Sequence, residues 1–547
     1  MKATAKAPDP PPSPDPSPGL ARPAGPPPTR RVAVIGGGLS GLATAVHLHL
    51  ADPQLPITLL ESSDRVGGVL GSRRLGDLLI DEGADMFATE PDAAFELCRR
   101  LGAADRLIEP RSAGRGAMIV RGGRLYPVPD GFVLMRATKF WPVLTTPLLS
   151  PIGKSRLLAE PLIPPANSDD DESVADFVRR RLGKETLDRI VAPLVAGIYT
   201  ADVERLSMRA TMRPIVEMER QHGSLTKATL ARRLSKQDRV ERTSSGARYG
   251  QFRAFPGGMQ EFVDLLRDAL PTAAIRTRSP IDTLRRVPGG WELAGPATEP
   301  ETFSDVVVAT PARNASRLLQ TVAPQAADEL AAIESASTAI VVLAVPRRAI
   351  RRPVTTFGFV VPPIERRQIL AASFASAKFA GRAPEDTVLI RVFIGGCLQP
   401  ELLRHDDAEL IRIARRELHD LIGLEPAPPD AVSPEPASPE PTSPEPASPE
   451  PTTPEPTTPE PTSPEAATSQ PASSRTALPE NGQAWVIRWD EAMPQYHVGH
   501  LRRVDRIRKS IDPLDGLWLV GNAIDGVGIA PLIAAAGRVA DAITAAT

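Results

Sequence analysis

The stretch Arg31-Val32-Ala33-Val34-Ile35-Gly36-Gly37-Gly38-Leu39-Ser40-Gly41-Leu42-Ala43 constrains this chain more than any other. Val32 to Ile35 form an unbroken apolar run of the kind a buried parallel strand needs, and glycines begin where that strand would end. Gly36, Gly38 and Gly41 are spaced as G-x-G-x-x-G. The first permits a tight turn, the second lets the backbone approach a pyrophosphate, and the third lets the following helix pack closely on the strand. A second apolar strand, Ile57-Thr58-Leu59-Leu60, ends at Glu61, twenty residues after Gly41. A carboxylate there accepts hydrogen bonds from a ribose diol. A glycine-rich surface turn would account for the glycines but not for this combination. The expected class is therefore α/β, with a Rossmann-like domain that binds a dinucleotide.

Composition bounds the rest. The chain has 547 residues, a net charge of −2, 41% hydrophobic and 24% charged residues, and 60 prolines. That is globular composition with room for two or three domains, apart from the prolines. Near-neutral charge gives no electrostatic case for nucleic acid. Cys98 and Cys397 form no C-x-x-C or metal-ligand pattern, so no metal is expected and a reducing cytoplasm is the default. Residues 1–30 contain eleven prolines and no apolar core of a signal peptide, and read as a disordered tail. No apolar run is long enough for a transmembrane helix. Peripheral contact with a membrane face stays open, through Val133-Leu134-Met135, Phe140-Trp141, Val143-Leu144 and Pro147-Leu148-Leu149 beside Lys139, Lys154 and Arg156. The alternative for the same residues is the buried wall of a substrate cavity.

Along the chain, Leu78-Leu79-Ile80 reads as a strand entering the loop Asp81-Glu82-Gly83-Ala84-Asp85-Met86. Phe95 to Leu101 reads as an amphipathic helix closed by Gly102. Ala117 to Val120 and Arg124 to Val128 flank Gly122-Gly123 as a hairpin. Residues 130–235 carry helical periodicity, with Val174, Phe177, Val178 and Leu182 on one face. Strands return at Ala274 to Thr277, Ile281, Trp291 to Leu293 and Asp305 to Val308. The stretches 339–345, 357–361, 370–374 and 388–394 suggest one mostly antiparallel sheet, followed by a helix over 408–421.

Seven Pro-Glu pairs then recur from Pro434 to Glu465. Such a segment buries almost nothing and repels itself, so solvated polyproline II is expected. It reads as an insertion within a domain rather than a linker, because the chain beyond it still supplies a strand, 484–489, and a second glycine loop. That loop, Val520-Gly521-Asn522-Ala523-Ile524-Asp525-Gly526-Val527-Gly528-Ile529, opens a small-residue helix. Its free N–H groups and helix dipole suit an anion or an electron-rich ring edge.

With these residues placed, Arg65-Val66-Gly67-Gly68 after Glu61 resembles a turn shared by flavin enzymes of the amine oxidase superfamily, which points to FAD. More specific stretches resemble the protoporphyrinogen and coproporphyrinogen oxidases of haem biosynthesis. They are Asp81 to Asp85; Pro193 to Asp202 with Arg205-Leu206-Ser207; Lys378-Phe379 with Gly381 to Pro384, running to Phe393-Ile394-Gly395-Gly396; and Met493 to Tyr496 with Gly499-His500. The resemblance implies non-covalent FAD held by Gly36, Gly37, Gly38, Leu39, Ser40, Gly41, Glu61, Arg65, Gly83, Ala84, Asp85, Met86, Ile281, Val527, Gly528 and Ile529. It also implies a pocket of Asp85, Ala196, Gly197, Val360, Ser373 and Phe393, where a backbone carbonyl of Ala196-Gly197 accepts pyrrole N–H groups. Family members often carry Arg or Lys where this chain has Ala117, leaving Arg115, Arg121 or Arg124 to meet a propionate.

Taken together, these readings divide the chain into a tripartite FAD domain (31–110, 251–312 and 512–547), a helical, membrane-facing lobe (111–250) and a mixed substrate-domain sheet (313–424 and 481–511) that carries the disordered insert (425–480). A cytoplasmic protein, peripheral on a membrane at most, is expected; the resemblance implies a porphyrinogen and molecular oxygen as reactants, and a homodimer is left open. Removal of six electrons takes three flavin cycles, and no side-chain catalyst is needed because the cofactor carries the hard step. His500 reads as a structural hydrogen-bonding residue. The apolar rim of Ala117, Val360 and Phe393 with neutral Ser373 favours protoporphyrinogen IX over coproporphyrinogen III. A flavin amine oxidase or desaturase, and an idle FAD-binding scaffold, are the rival readings.

Overall fold

The computed structural model describes residues 30–114, 116–133, 135–166, 170–234, 251–426 and 482–545. Most of the Pro-rich tail, the whole Pro-Glu repeat, Arg115 and Leu134 lie outside the described residues.

Five parallel strands form the first sheet, in the order Ile275–Arg276, Ile57–Leu60, Val32–Ile35, Asp305–Val308, Leu517–Leu519. Three distant parts of the chain thus build one layer. Val32 to Ile35 are buried on both faces, as a central parallel strand flanked by helices requires. One face is covered by the helices Leu39–Ala51, Met259–Asp268 and Ile529–Ala545. The other is covered by Ala312–Leu319, Pro324–Ala331 and His500–Ile511, together with Trp291 and Leu293 of a three-stranded meander. Asp305 pins the edge, pairing with Arg30 at 2.9 Å and accepting the Trp518 indole N–H at 3.2 Å.

The second sheet has seven strands, ordered Gln483–Pro494, Ser335–Pro346, Thr387–Gly395, Ala371–Phe374, Gly358–Val360, Met118–Arg121, Arg124–Pro127. Every pairing is antiparallel except Gly358–Val360 with Met118–Arg121. Alternation divides its side chains. Val341, Leu343, Val345, Ile390 and Val392 pack against the amphipathic helix Asp407–Ile422. Ile340, Val342, Ala344 and Leu389 face Leu78 and Ile80 of the hairpin Ser72–Leu75 and Leu78–Asp81. That second face looks towards the parallel-sheet layer.

Four expectations differ from what is seen. The hairpin at 118–127, assigned to the helical lobe, is the edge of the seven-stranded sheet, because Phe359 and Val360 pair with Met118 and Ile119. The helices within 312–331 and His500–Ile511, assigned to the substrate sheet, instead bury their apolar faces on the parallel sheet. Ile281, read as a strand residue, lies in an irregular stretch before Thr283–Val287, where Gly295 packs so tightly on the Pro280 carbonyl that a Cβ would lie 1.8 Å from it. The proposed membrane-facing surface divides: Val133, Met135, Val143, Leu148 and Leu149 are lobe core, whereas Phe140 and Trp141 are exposed.

The lobe between residues 132 and 234 is held by a core including Phe132, Phe177 and Val195 and by a buried ion pair. Arg181 and Glu160 are both fully buried. Glu160 also accepts from Ser224 Oγ at 2.6 Å and from the N–H groups of Leu225 and Thr226 at 2.9 and 3.0 Å. A carboxylate at the start of Leu225–Leu234 satisfies donors that the helix itself cannot.

Candidate active site

At the C-terminal end of Val32–Ile35 the backbone turns sharply, with Gly36 at φ +102°. A Cβ on Gly41 would sit 1.9 Å from the Gly36 carbonyl oxygen, so only glycine lets the helix start this close to the strand. A Cβ on Gly38 would meet nothing within 4 Å. The helix Leu39–Ala51 opens there with no acidic residue in its first turn and no side-chain cap. Its leading N–H groups, including those of Leu39 and Ser40, lack intrahelical acceptors and face an open cradle, the requirement for a bound phosphate. Glu61 stands beside it, its carboxylate accepting the N–H groups of Gly37 at 2.6 Å and Ser63 at 2.8 Å. Ile281 follows Ser279, whose N–H donates to the Glu61 carbonyl at 2.8 Å, and so lies at the same end of the sheet.

The Arg65–Leu70 loop closes over this cradle. The Gly67 N–H donates to the Gly37 carbonyl at 2.8 Å, and a Cβ on Gly68 would be 3.2 Å from the Gly38 Cα. Arg65 folds back on the loop, donating to the carbonyls of Leu70 at 3.0 Å and Gly68 at 2.9 Å. It braces the loop's shape rather than pointing away from it.

The next segment, 82–86, is clamped between the two sheets. Trp489 Nε1 donates to the Glu82 carbonyl at 3.2 Å, and Arg391 donates to the Gly83 carbonyl. A Cβ on Gly83 would collide with the Val69 carbonyl at 2.2 Å. Ala84 and Met86 are half-buried and Asp85 is buried. Asp85 Oδ2 is 2.8 Å from Lys378 Nζ and 3.3 Å from Arg391. Burial alone would raise its pKa, but the charges of Lys378 and Arg391 outweigh it and hold the carboxyl at about 2. Asp81, also buried, accepts from Ser72 Oγ at 2.6 Å and the Met259 N–H at 3.0 Å and pairs with Arg382 at 3.1 Å. Here burial prevails over Arg382 and the pKa is raised.

The pocket residues expected from the resemblance fall on one face of the seven-stranded sheet. Val360 is level with Ala371, and Ala371 with Phe393; Ser373 is level with Arg391. Val360, Ser373 and Phe393 are half-buried while Phe359, Ala372, Phe374, Val392 and Ile394 between them are buried. That alternation puts the three on the same, less covered face of the sheet. The Arg391 guanidinium lies over the Phe393 ring, 5.5 Å from its centroid, which joins Phe393 and Ser373 to Asp85. From the lobe, the helix Ala192–Tyr199 reaches the same place: a Cβ on Gly197 would be 3.4 Å from Val360 Cγ1. The Ala196 carbonyl already accepts the Thr200 N–H at 2.8 Å. Gly197 is exposed and lies in the last turn, where carbonyls run out of intrahelical donors.

The second glycine loop completes the enclosure. Gly526 and Gly528 have φ of +109° and +119° and lead into Ile529–Ala545, which has no acidic residue in its first turn. Val527 packs on the lobe core. Asp525 accepts the Gly521 N–H at 3.0 Å and pairs with Arg508 at 2.9 Å. Tyr496 donates its hydroxyl to the Asn522 carbonyl, and its own carbonyl accepts the Ser207 N–H at 2.7 Å. The lobe and the glycine loop are thus tied through one residue. His500 stacks on Tyr496; burial, with Arg503 nearby, lowers its pKa to about 4, so it is a neutral structural group.

Sequence reasoning missed Lys378, Arg391 and Trp489 as site residues. Lys378 stood inside a quoted motif, but nothing in one dimension says that it meets Asp85, 293 residues away. Of the rim arginines, Arg121 follows Ile119 by two and so shares its face of the strand, while Arg124 is exposed at the turn.

Two glycine loops at helix starts without acidic first turns, a carboxylate at the second strand end and a half-buried sheet face between the layers fit a flavin-dependent oxidoreductase. Residues 39–443 match the model of the flavin containing amine oxidoreductase family, and the chain belongs to that family. Its cofactor is FAD. Among curated relatives it is 26% identical over 521 residues to the coproporphyrinogen III oxidase of Bacillus subtilis (strain 168), covering 94% of this chain and 98% of that protein. It is 29% identical to the coproporphyrinogen III oxidase of Propionibacterium freudenreichii subsp. freudenreichii, over 94% of this chain and 92% of that one. Protoporphyrinogen oxidase 2 of Arabidopsis thaliana is 28% identical over 73% of this chain and 81% of its own. Among solved structures, "Putative protoporphyrinogen oxidase" from Exiguobacterium sp. 255-15 superposes with a TM-score of 0.74 at 24% identity, covering 95% of this chain and 99% of that one. The chain is an oxidase whose curated relatives act on porphyrinogens.

Proposed function

We propose that this enzyme oxidises a porphyrinogen to the corresponding porphyrin with oxygen as acceptor, and that coproporphyrinogen III is its preferred substrate. The observation that carries the reaction class is the half-buried face of Val360, Ser373 and Phe393 lying opposite Gly197 and beside Asp85. FAD, when bound, supplies two-electron oxidation of a carbon–hydrogen bond. The protein supplies position and dryness. Phe393 and Val360 give the flat apolar walls that a tetrapyrrole stacks on, and the Gly197 carbonyl is available to accept a pyrrole N–H. Among the described residues no three His, Cys, Asp or Glu side chains form a metal-binding group.

The apolar rim favoured protoporphyrinogen IX, and that remains the alternative. Two observations support the reversal. Lys378 and Arg391 place buried positive charge beside the pocket, and a carboxylate-rich substrate is stabilised by cations while an unpaired buried carboxylate is costly. Near-full-length similarity to coproporphyrinogen III oxidases points the same way. Oxygen uptake and porphyrin fluorescence with each substrate under matched detergent test the reading. A kcat/KM higher for coproporphyrinogen III is expected; a clear preference for protoporphyrinogen IX reverses the assignment, and turnover of neither removes the reaction class.

Peripheral contact with a lipid surface is also supported. Trp141, Ile152 and Leu162 are 74%, 81% and 83% exposed within one short stretch of the lobe, where aromatic and aliphatic groups near Lys154 suit an interface. No helix among the described residues is long and apolar enough to cross a membrane. Cosedimentation with anionic vesicles should be lost in the Trp141→Ser/Ile152→Ser variant; unchanged binding would remove this contact.

A further inference from the structure

The junction between the two sheets encloses more positive than negative charge. Five ionisable side chains there are buried: Asp81, Asp85, Lys378, Arg382 and Arg391. Three are cations and two are carboxylates, a surplus of one positive charge. Arg382 is held on several sides. It pairs with Asp81, donates to the carbonyls of Pro256 at 3.0 Å and Phe255 at 3.2 Å, and lies 5.2 Å from the Phe379 ring centroid. Arg391 donates to the Gly83 carbonyl and pairs with Asp85, its Nε–H left without a partner. Lys378 has more donors left over. An ammonium has three N–H groups, and among the described residues the Lys378 ammonium donates one hydrogen bond, to Asp85. It ends the short helix Ala375–Lys378 that directly follows the strand bearing Ser373, and Ser373 Oγ is itself a buried hydroxyl without a partner.

A buried surplus charge is expensive unless an opposite charge completes it. Asp85 does not neutralise Lys378 alone, since the same oxygen also meets Arg391. We propose that Lys378, which shares Asp85 with the Arg391 that lies level with Ser373, forms an anion subsite at the inner end of the pocket that takes a carboxylate of the substrate. The proposal rests on the porphyrinogen reading above and adds a reason for discrimination. A substrate with propionates on all four rings must send one of them to the inner end whichever way it enters, and there it meets a cation with spare donors. A vinyl at the same place leaves that cation unpaired.

The test uses the flavin-loaded enzyme. Lys378→Met keeps chain length and removes charge; Asp85 retains Arg391 as its partner. Binding of coproporphyrin III and of its uncharged tetramethyl ester is followed by quenching of porphyrin fluorescence, and kcat and KM are measured for both porphyrinogens. The wild type should bind acid over ester at least about tenfold more strongly than the variant does. In the variant, KM for coproporphyrinogen III should rise more than kcat falls, the coproporphyrinogen-to-protoporphyrinogen ratio of kcat/KM should drop about tenfold, and Lys378→Arg should recover part of it. If Lys378→Met loses flavin, Asp85→Asn/Lys378→Met, which strands no carboxylate, takes its place. An acid-to-ester ratio unchanged by the substitution overturns the proposal. So does an unchanged ratio with a lowered flavin reduction potential, which would assign the surplus charge to the cofactor. A wild type that prefers protoporphyrinogen IX would instead count against the substrate assignment, while the acid-to-ester ratio still decides the role of Lys378.

Discussion

Tyr496 lies flat on His500, with ring centroids 4.2 Å apart and planes 16° from parallel. Its hydroxyl reaches the Asn522 carbonyl in the second glycine loop. Tyr496→Phe keeps the stack and deletes the hydrogen bond, leaving a carbonyl short of a donor at a cost of about 1 to 3 kcal/mol. Because that carbonyl belongs to the loop before Gly526, weaker flavin retention is expected, read as faster FAD release on dilution. A variant that holds FAD like the wild type would show that the loop needs no such tie.

His500 also makes the fold acid-sensitive. Its pKa is lowered to about 4 by burial, against about 6.5 in an unfolded chain. The folded form therefore binds fewer protons than the unfolded form between these values, and stability falls as pH drops through that window. The contribution at stake is about 3 kcal/mol. His47, lowered to about 4 mainly by burial, acts in the same direction. His500→Phe keeps a ring against Tyr496 and cannot titrate, so denaturant midpoints compared at about pH 7 and about pH 4.5 should differ less than in the wild type. Equal pH dependence in the two proteins would exclude this role.

Gly41→Ala places a methyl 1.9 Å from the Gly36 carbonyl oxygen, a contact between backbone atoms that no rotamer relieves. Opening the turn should cost about 3 kcal/mol or more, about a hundredfold in FAD affinity if the loop bears all of it. Gly38→Ala, where a Cβ meets nothing within 4 Å, should leave the apoprotein's stability unchanged and yet weaken FAD binding, since the methyl enters the cradle. Flavin content and apoprotein melting measured side by side separate the two effects.

FAD should be released by acid. Cys98 is buried in the parallel-sheet core with its thiol pushed up to about 12 by burial, and Cys397 is raised for the same reason. Neither is a ready thiolate, and neither lies in the second glycine loop. Acid precipitation should leave yellow supernatant and a colourless pellet; colour kept in the washed pellet would demonstrate a covalent link.

Deleting Ser433 to Glu465 should preserve flavin content and turnover. The described chain on either side is anchored in one domain, at Glu425, whose N–H donates to the Ala349 carbonyl at 2.9 Å, and at the strand Gln483–Pro494. Closure entropy changes by only about 0.6 kcal/mol per doubling of loop length. A several-fold fall in kcat would mean that the repeat acts on the site.

What the amino-acid order by itself determined is local. Gly36, Gly38 and Gly41, the strand run Val32 to Ile35 and the carboxylate of Glu61 are legible because steric limits on φ and the periods of strand and helix act within a few residues. The second glycine loop at Gly526 and Gly528 is readable for the same reason, and the residues that resemble porphyrinogen oxidases needed only to be recognised as strings. What only the tertiary structure decided is which distant groups share space. Strand alternation shows that Val360, Ser373 and Phe393 each point to some face, but the register pairing Ser373 with Arg391 selects which one. The lobe surface divided because Val143 and Leu148 found partners in the helical core while Trp141 did not; apolar character alone carries no direction. The meeting of Asp85 with Lys378 and Arg391 spans about three hundred residues of chain. Electrostatic pairing depends on separation through space and on the loss of water around it, so this cluster of buried charge was not visible until the two sheets closed on each other.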